Sequence, residues 1–212
     1  MTMLELMQKG GPLMWVLLAG SVAGTTVFLK KAFDLHRAQI KWSDFLRGIY
    51  NILNRRNIVE AVSICEETPG PVASLVRAAV LHYDEDHETI RRAIEEAGLV
   101  EIPRLERNLG LLATLAQTAP LIGVLGTVLG MIQMMLAAQQ KAPLVQSGDL
   151  MGGMMQALIV SAGGLVVAIL SFAGYNFLVS RVETVVLDME MAAADILSFL
   201  TRRTRNKEKA GE

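Results

Sequence analysis

Three long stretches of this chain carry no charged residue: 10–29, 108–140 and 150–180. A helix needs roughly 20 apolar residues to cross the hydrocarbon core of a bilayer. The first stretch is just long enough, and the other two exceed the need, so they tilt or project beyond it. Lipid offers no water to satisfy backbone N–H and C=O groups, so each stretch must be helical unless protein shields it. The chain is therefore expected to be all-α and polytopic, with three transmembrane helices and a helical block between the first and second. An apolar fraction of 52% with a mean hydropathy of +0.39 fits neither a disordered chain nor an ordinary soluble domain.

The net charge of −1 says little, but the layout of the 20 Lys and Arg says much. Lys9 precedes the first stretch, twelve basic residues lie between the first and second, Lys141 lies between the second and third, and six follow the third. Eighteen thus fall on one side and two on the other, and the positive-inside rule assigns the eighteen to the cytoplasm. Lys30, Lys31, Arg104, Arg107 and Arg181, which flank the spans, point the same way. The N-terminus is then periplasmic and the C-terminus cytoplasmic. In a signal peptide the basic cluster precedes the apolar run; here it follows, which favours a retained span over a cleaved leader.

The expected organisation is an external segment at 1–11, a first span at 12–29 and a cytoplasmic helical block at 30–107. A second span at 108–140, an external loop at 141–149, a third span at 150–180 and a cytoplasmic extension with a basic tail at 181–212 complete it. Pro12 suits a first helical turn, whose N–H has no helical partner. Within the block, Phe45, Ile49, Ile52 and Leu53 form one apolar stripe, and Ile58, Ala61, Val62 and Cys65 another. Asn57 with Glu60 reads as a capping box. The TPGP run at 68–71 breaks the chain before a helix at 72–83, and Asp86 or His87 opens a long helix through Ile90, Ile94 and Leu99. Pro103 is expected to kink that helix or to part it from the second span. Val182, Val185, Val186, Met189 and Ala193 carry an apolar stripe beyond the third span.

No enzyme constellation is present. His36, His82 and His87 have no metal-ligand spacing, and no metal site or cofactor is expected. Cys65 has no disulfide or metal partner and reads as a small buried residue. Glu66–Glu67 and Glu95–Glu96 read as solvated helix faces. The spans hold more. In the second, Gly123, Gly126 and Gly130 permit close helix approach, Pro120 sits among them, and Thr114 and Thr118 share a face at i, i+4. In the third, Ala157, Ser161, Gly164, Ala168 and Ser171 form a ridge of small residues, and Gln156 adds a strongly polar side chain. Packing alone accounts for such ridges; hydroxyls and an amide on tightly packed spans also suit an oligomer with a polar interior.

The segments LATLAQTAPLIGVLGTVLGMI, 112–132, and QALIVSAGGLVVAILSFAGYN, 156–176, resemble the ExbB/TolQ proton channel family, closest to the ExbB type. The resemblance is specific in TAPLIGVLGTV and in the ALI–small–GL–A pattern, and it covers the three-span layout loosely. It implies a homo-pentamer in the inner membrane of a Gram-negative cell, built around single-span partners like ExbD or TolR. It also implies proton flow that drives work on the outer membrane, through a TonB-like protein or through Tol–Pal. Lipid surrounds such an assembly, and nucleic acid has no part in it. By the same resemblance Thr118, Ser161 and Gln156, with Thr114, line the proton pathway, while Pro120, Gly123, Gly126, Gly130 and Gly164 pack helices. The family often carries Glu where this chain has Gln156. Gln forms hydrogen bonds but does not titrate, so the titrating carboxylate is expected from the partner. A TolQ-type or gliding-motility stator, and a non-conducting membrane scaffold, are the alternatives.

Overall fold

The computed structural model describes residues 7–8, 10–38, 42–55, 57–141 and 147–210. Seven helices account for nearly all of them: α1 Pro12–Ala38, α2 Trp42–Asn54, α3 Ile58–Glu67, α4 Pro71–Leu81, α5 His87–Glu106, α6 Leu109–Gln140 and α7 Ser147–Ala210. No strand occurs among the described residues, so the fold is all-α. Three helices are long and apolar enough to cross a membrane: Pro12–Leu35, Leu109–Gln140 and Leu150–Arg202. Much of the external segment at 1–11 and of the loop at 141–149 lies outside the described residues.

α1 and α7 run well past the ends of their uncharged stretches. Charge ends a membrane span but not a helix: 30–38 and 181–202 contain neither Gly nor Pro, the residues that stop helices. The chain divides into two compact units, Met1–Lys30 with Asn108–Leu178 and Lys31–Arg107 with Val179–Glu212.

The second unit is built on apolar stripes. α2 buries Leu46, Ile49 and Leu53, while Phe45 and Ile52 flank them half-buried. α3 buries Ala61 and Cys65. Its start is capped reciprocally: Glu60 N–H donates to Asn57 Oδ1 at 3.3 Å, and Asn57 Nδ2 donates to Glu60 Oε2 at 2.7 Å. Gly70, at φ 137°, makes the turn that only glycine tolerates well. Pro71 then opens α4, which buries seven of its eleven residues. α5 is capped by Asp86, whose carboxylate accepts from the Thr89 hydroxyl, and it buries Ile90 and Ile94. The later part of α7 buries Val182, Val185, Met189, Ala192, Ile196 and Leu200, a run at spacings of three and four. Tyr50 stacks on Phe199 with ring centroids 4.3 Å apart. Each fully buried Leu or Ile contributes about 1.5–3 kcal/mol, so this apolar set, rather than the exposed Arg77–Glu66 pair at 2.8 Å, holds the unit together.

Pro103 neither ends α5 nor parts it from the second span; it lies inside the helix, one turn before the end. The break comes at Arg107 and Asn108. Arg107 leaves helical geometry at ψ 134°, and Asn108 takes the left-handed conformation at φ 72°. Proline only forgoes one backbone hydrogen bond, whereas a change of direction needs a residue that tolerates φ > 0, and Asn does.

In the first unit α1, α6 and α7 meet around Leu17, Ala119, Val160 and Ala168, with Leu13, Ile122 and Val167 packed against them. In lipid the hydrophobic effect does not drive helices together, so this cluster is held by close packing.

Candidate functional site

The geometry of the first unit begins with glycine. A Cβ on Gly123 would stand 3.2 Å from the Ser161 carbonyl oxygen and 3.6 Å from Gly164 Cα; one on Gly164 would stand 2.6 Å from the Ala119 oxygen and 2.9 Å from Gly123 Cα. One on Gly130 would meet the Gly153 oxygen at 2.6 Å and Ala157 Cβ at 2.7 Å, and one on Gly126 would collide with the Val160 side chain. The partner number rises as the glycine number falls, so α6 and α7 run antiparallel in backbone contact along this seam. Pro120 lies inside α6, half-buried beside it. Gly153 and Val160, not singled out in the sequence, complete the seam; their i, i+4 spacing to Ala157 and Gly164 was the available signal.

The seam fixes where α6 presents its hydroxyls. Thr118 precedes Ala119 by one residue, about 100° round the helix, and Thr114 lies about 140° round. Both therefore turn away from α7; Thr114 is exposed and Thr118 half-buried. Each donates to its own helix, Thr118 Oγ1 to the Thr114 oxygen and Thr114 Oγ1 to the Gly110 oxygen, both at 2.8 Å. The two residues thus form a ladder on one face of an uncharged span. Gln117, exposed one residue before Thr118, adds an amide near that face.

α7 divides its polar groups. Ser161 is half-buried at the edge of the seam, with its backbone against Gly123. Gln156 sits about 140° away round the helix. Its Nε2 lies 2.8 Å from where a Gly11 Cβ would stand, and Gly11 has φ +68°. So the structure brings Thr114 and Thr118 together, sets Ser161 on the seam, and sends Gln156 to the turn that precedes α1.

Elsewhere, burial raises the Cys65 thiol to about 11, the nearby Arg77 opposing this only in part. His82 Nδ1 lies 3.0 Å from the Ala78 oxygen of its own helix. Among the described residues no group of three or more His, Cys, Asp or Glu could hold a metal ion.

The model of the MotA/TolQ/ExbB proton channel family matches residues 67–191, more than half of the chain and both glycine-seamed helices. The chain belongs to the MotA/TolQ/ExbB proton channel family. With its three spans it is a multi-pass inner-membrane protein. It is 42% identical to the biopolymer transport protein ExbB of Aquifex aeolicus over 86 residues, covering 41% of this chain and 57% of that protein. Over 191 residues, 90% of this chain and 67% of the relative, it is 24% identical to a protein described as an ExbB homolog in Methanothermobacter thermautotrophicus. It is also 32% identical over 123 residues to the Tol-Pal system protein TolQ of Pseudomonas aeruginosa, covering 57% and 52% of the two chains. The matches thus span about two thirds of the Methanothermobacter relative and little more than half of the other two. The family is one of proton channels, and the uncharged stretches 108–140 and 150–180 of this member contain hydroxyls and amides but no Asp or Glu.

Proposed function

We propose that this chain is the stator-type subunit of a motor driven by the proton-motive force, of the ExbB kind. It would assemble as a homo-oligomer, a pentamer, around an ExbD/TolR-like single-span partner and energise outer-membrane transport through a TonB-like protein. The observation that carries this reading is the Thr114–Thr118 ladder. The glycine seam occupies the α7-facing side of α6 and leaves the two hydroxyls on an open face of an apolar, uncharged span. Hydroxyls grouped on one face of an uncharged span suit a polar pathway through the membrane. The spans hold no Asp, Glu, Lys or Arg between 108 and 140 or between 150 and 180. The titrating group is therefore the partner's carboxylate, which is protonated from the periplasmic side, passes the threonine face neutral and discharges in the cytoplasm. The driving force is about 2.3 kcal/mol per charge per 100 mV. In this reading Thr114, Thr118 and Ser161 line the pathway, and Gln156 borders its outer end beside the turn before α1. No residue of this chain acts as a catalyst.

The test is proton-gradient-dependent work in cells carrying the chain and its partner. Thr118→Val keeps the shape, deletes the hydroxyl and is expected to cut output severely. Gln156→Leu is expected to reduce it and Gln156→Glu to be tolerated. An Asp→Asn change in the partner's span should abolish it. Full output from Thr118→Val and Gln156→Leu at normal expression would reduce these residues to packing. Assembly with the partner but no gradient-dependent work in the wild type would favour the scaffold.

A further inference from the structure

The first unit contains a cavity of about 410 Å³ between α1, α6 and α7, apart from the threonine face. α1 contributes Ser21, Gly24, Thr25 and Phe28 to its wall, one helical face at i, i+3, i+4 and i+7. Leu112 of α6 closes one side, and α7 contributes the stretch from Val167 to Phe177. Two glycines open the space. A Cβ on Gly174 would stand 3.1 Å from the Phe28 ring, and one on Gly24 would stand 2.9 Å from Leu115 Cδ1. Phe28 and Phe177, with ring centroids 6.2 Å apart at 51°, stand at the end nearest Lys30. Thr25, Leu170 and Ala173 are exposed, so the cavity opens on the outer surface of this unit.

A void of this size in a bilayer will be filled. Water alone fills it poorly: Ser21, Thr25 and Ser171 are the only hydroxyls on an otherwise apolar wall, each water needs two to four polar partners, and the Thr25 hydroxyl already donates to the Ser21 oxygen at 2.8 Å. Ser21 to Phe28 covers about 10 Å of helix rise, close to the ~15 Å depth of one leaflet's hydrocarbon. The charge order along the chain says which lipid. Within the same unit, the first charged residue after the α1 lining is basic: Lys30 follows Phe28 by two positions. Basic residues at a membrane edge attract anionic headgroups. We infer that this cavity holds one acyl chain of an anionic phospholipid from the leaflet at the Lys30 end, as a retained component of the folded chain.

The test is native mass spectrometry of the complex released from membranes in mild detergent. The wild type should keep one phospholipid per chain, enriched in anionic headgroups over the bulk extract. Ala173→Phe and Thr25→Phe, which fill the cavity from opposite walls, should each lose it. Leu158→Phe, on an exposed face away from the cavity, should keep it. Lys30→Gln leaves the cavity intact and should shift the retained lipid towards zwitterionic headgroups, so the inference is checked even where a filled variant does not assemble. It is overturned if the wild type retains no phospholipid, if the retained mass is not a phospholipid, or if the filled variants hold as much as the wild type. It is overturned equally if Ala173→Cys forms a disulfide between two copies, which would mean that protein covers the opening.

Discussion

Adding a single methyl at Gly164 tests the α6–α7 seam most sharply. The new Cβ of Gly164→Ala would lie 2.6 Å from the Ala119 oxygen and 2.9 Å from Gly123 Cα. Both obstacles are backbone, so no rotamer change relieves them, and carbon contacts settle near ~3.5–4.0 Å. The helices must part locally. Overpacking costs about 1–3 kcal/mol, and the helix preference of Ala over Gly returns about 0.5–1 kcal/mol. The difference is about 0–2.5 kcal/mol, and two backbone contacts under 3.0 Å place this site in the upper half of that range, at about 1–2 kcal/mol, close to a tenfold change in the folded-to-unfolded ratio. Gly152 has nothing within 4 Å of its Cβ position, so Gly152→Ala should gain about 0.5 kcal/mol from the same preference. Gly123→Ala, at 3.2 Å from the Ser161 oxygen, should fall between the two. Gly126 differs in kind because its obstacle is the Val160 side chain, with Cβ at 2.6 Å. Gly126→Ala should therefore be rescued by Val160→Ala, with a coupling of about 1–3 kcal/mol, whereas no side-chain truncation should rescue Gly164→Ala. Reversible unfolding in mixed micelles, followed by circular dichroism, measures all of these. The seam is refuted if Gly164→Ala and Gly152→Ala are equally stable and the 126–160 cycle shows no coupling.

Cys65, raised by burial from 9.0 to about 11, should have roughly a hundredfold less thiolate at pH 8 than an ordinary thiol. Iodoacetamide should label it only on unfolding, and rapid native labelling would contradict its burial. Because the folded chain holds this proton more tightly, its stabilising effect is complete below pH 9 and is lost as the pH rises towards 11. Asn57→Ala removes both arms of the α3 cap and should cost about 1 kcal/mol, with Asn57→Asp retaining more of the stability in thermal melts. In a Cys65→Ser background, Glu85→Cys should resist an impermeant maleimide in intact spheroplasts and react after lysis; labelling before lysis would reverse the proposed topology.

The spans were legible because charge is excluded from lipid, and the helical stripes because 3.6-residue periodicity survives in any context. Where helices end was less legible. α1 continues through Lys30 and Lys31 because nothing in 30–38 stops a helix, and the turn before α6 came from Asn108 rather than Pro103. The resemblance grouped Gln156 with Thr118 and Ser161 as residues of one pathway. The structure adds that Gln156 lies against Gly11, which the sequence did not show, because a linear pattern shows which face a residue occupies but not which neighbour meets that face. The cavity beside Ser171 had no signature at all: it arises where glycines on two helices far apart in sequence lie near one another.

The hydroxyl ladder on α6 has a consequence for selectivity. Each threonine has one proton to donate, and both are already given to carbonyls of their own helix. What the pair offers outward is lone pairs alone. A protonated carboxyl brings a donor and finds an acceptor waiting. An ionised carboxylate brings only acceptors, and to be received it must first pull a hydroxyl from its carbonyl, where no water stands by to compensate. In the pathway proposed above, such a surface would act as a filter on protonation state: an acid that has taken up its proton is admitted, and one that has lost it is turned back.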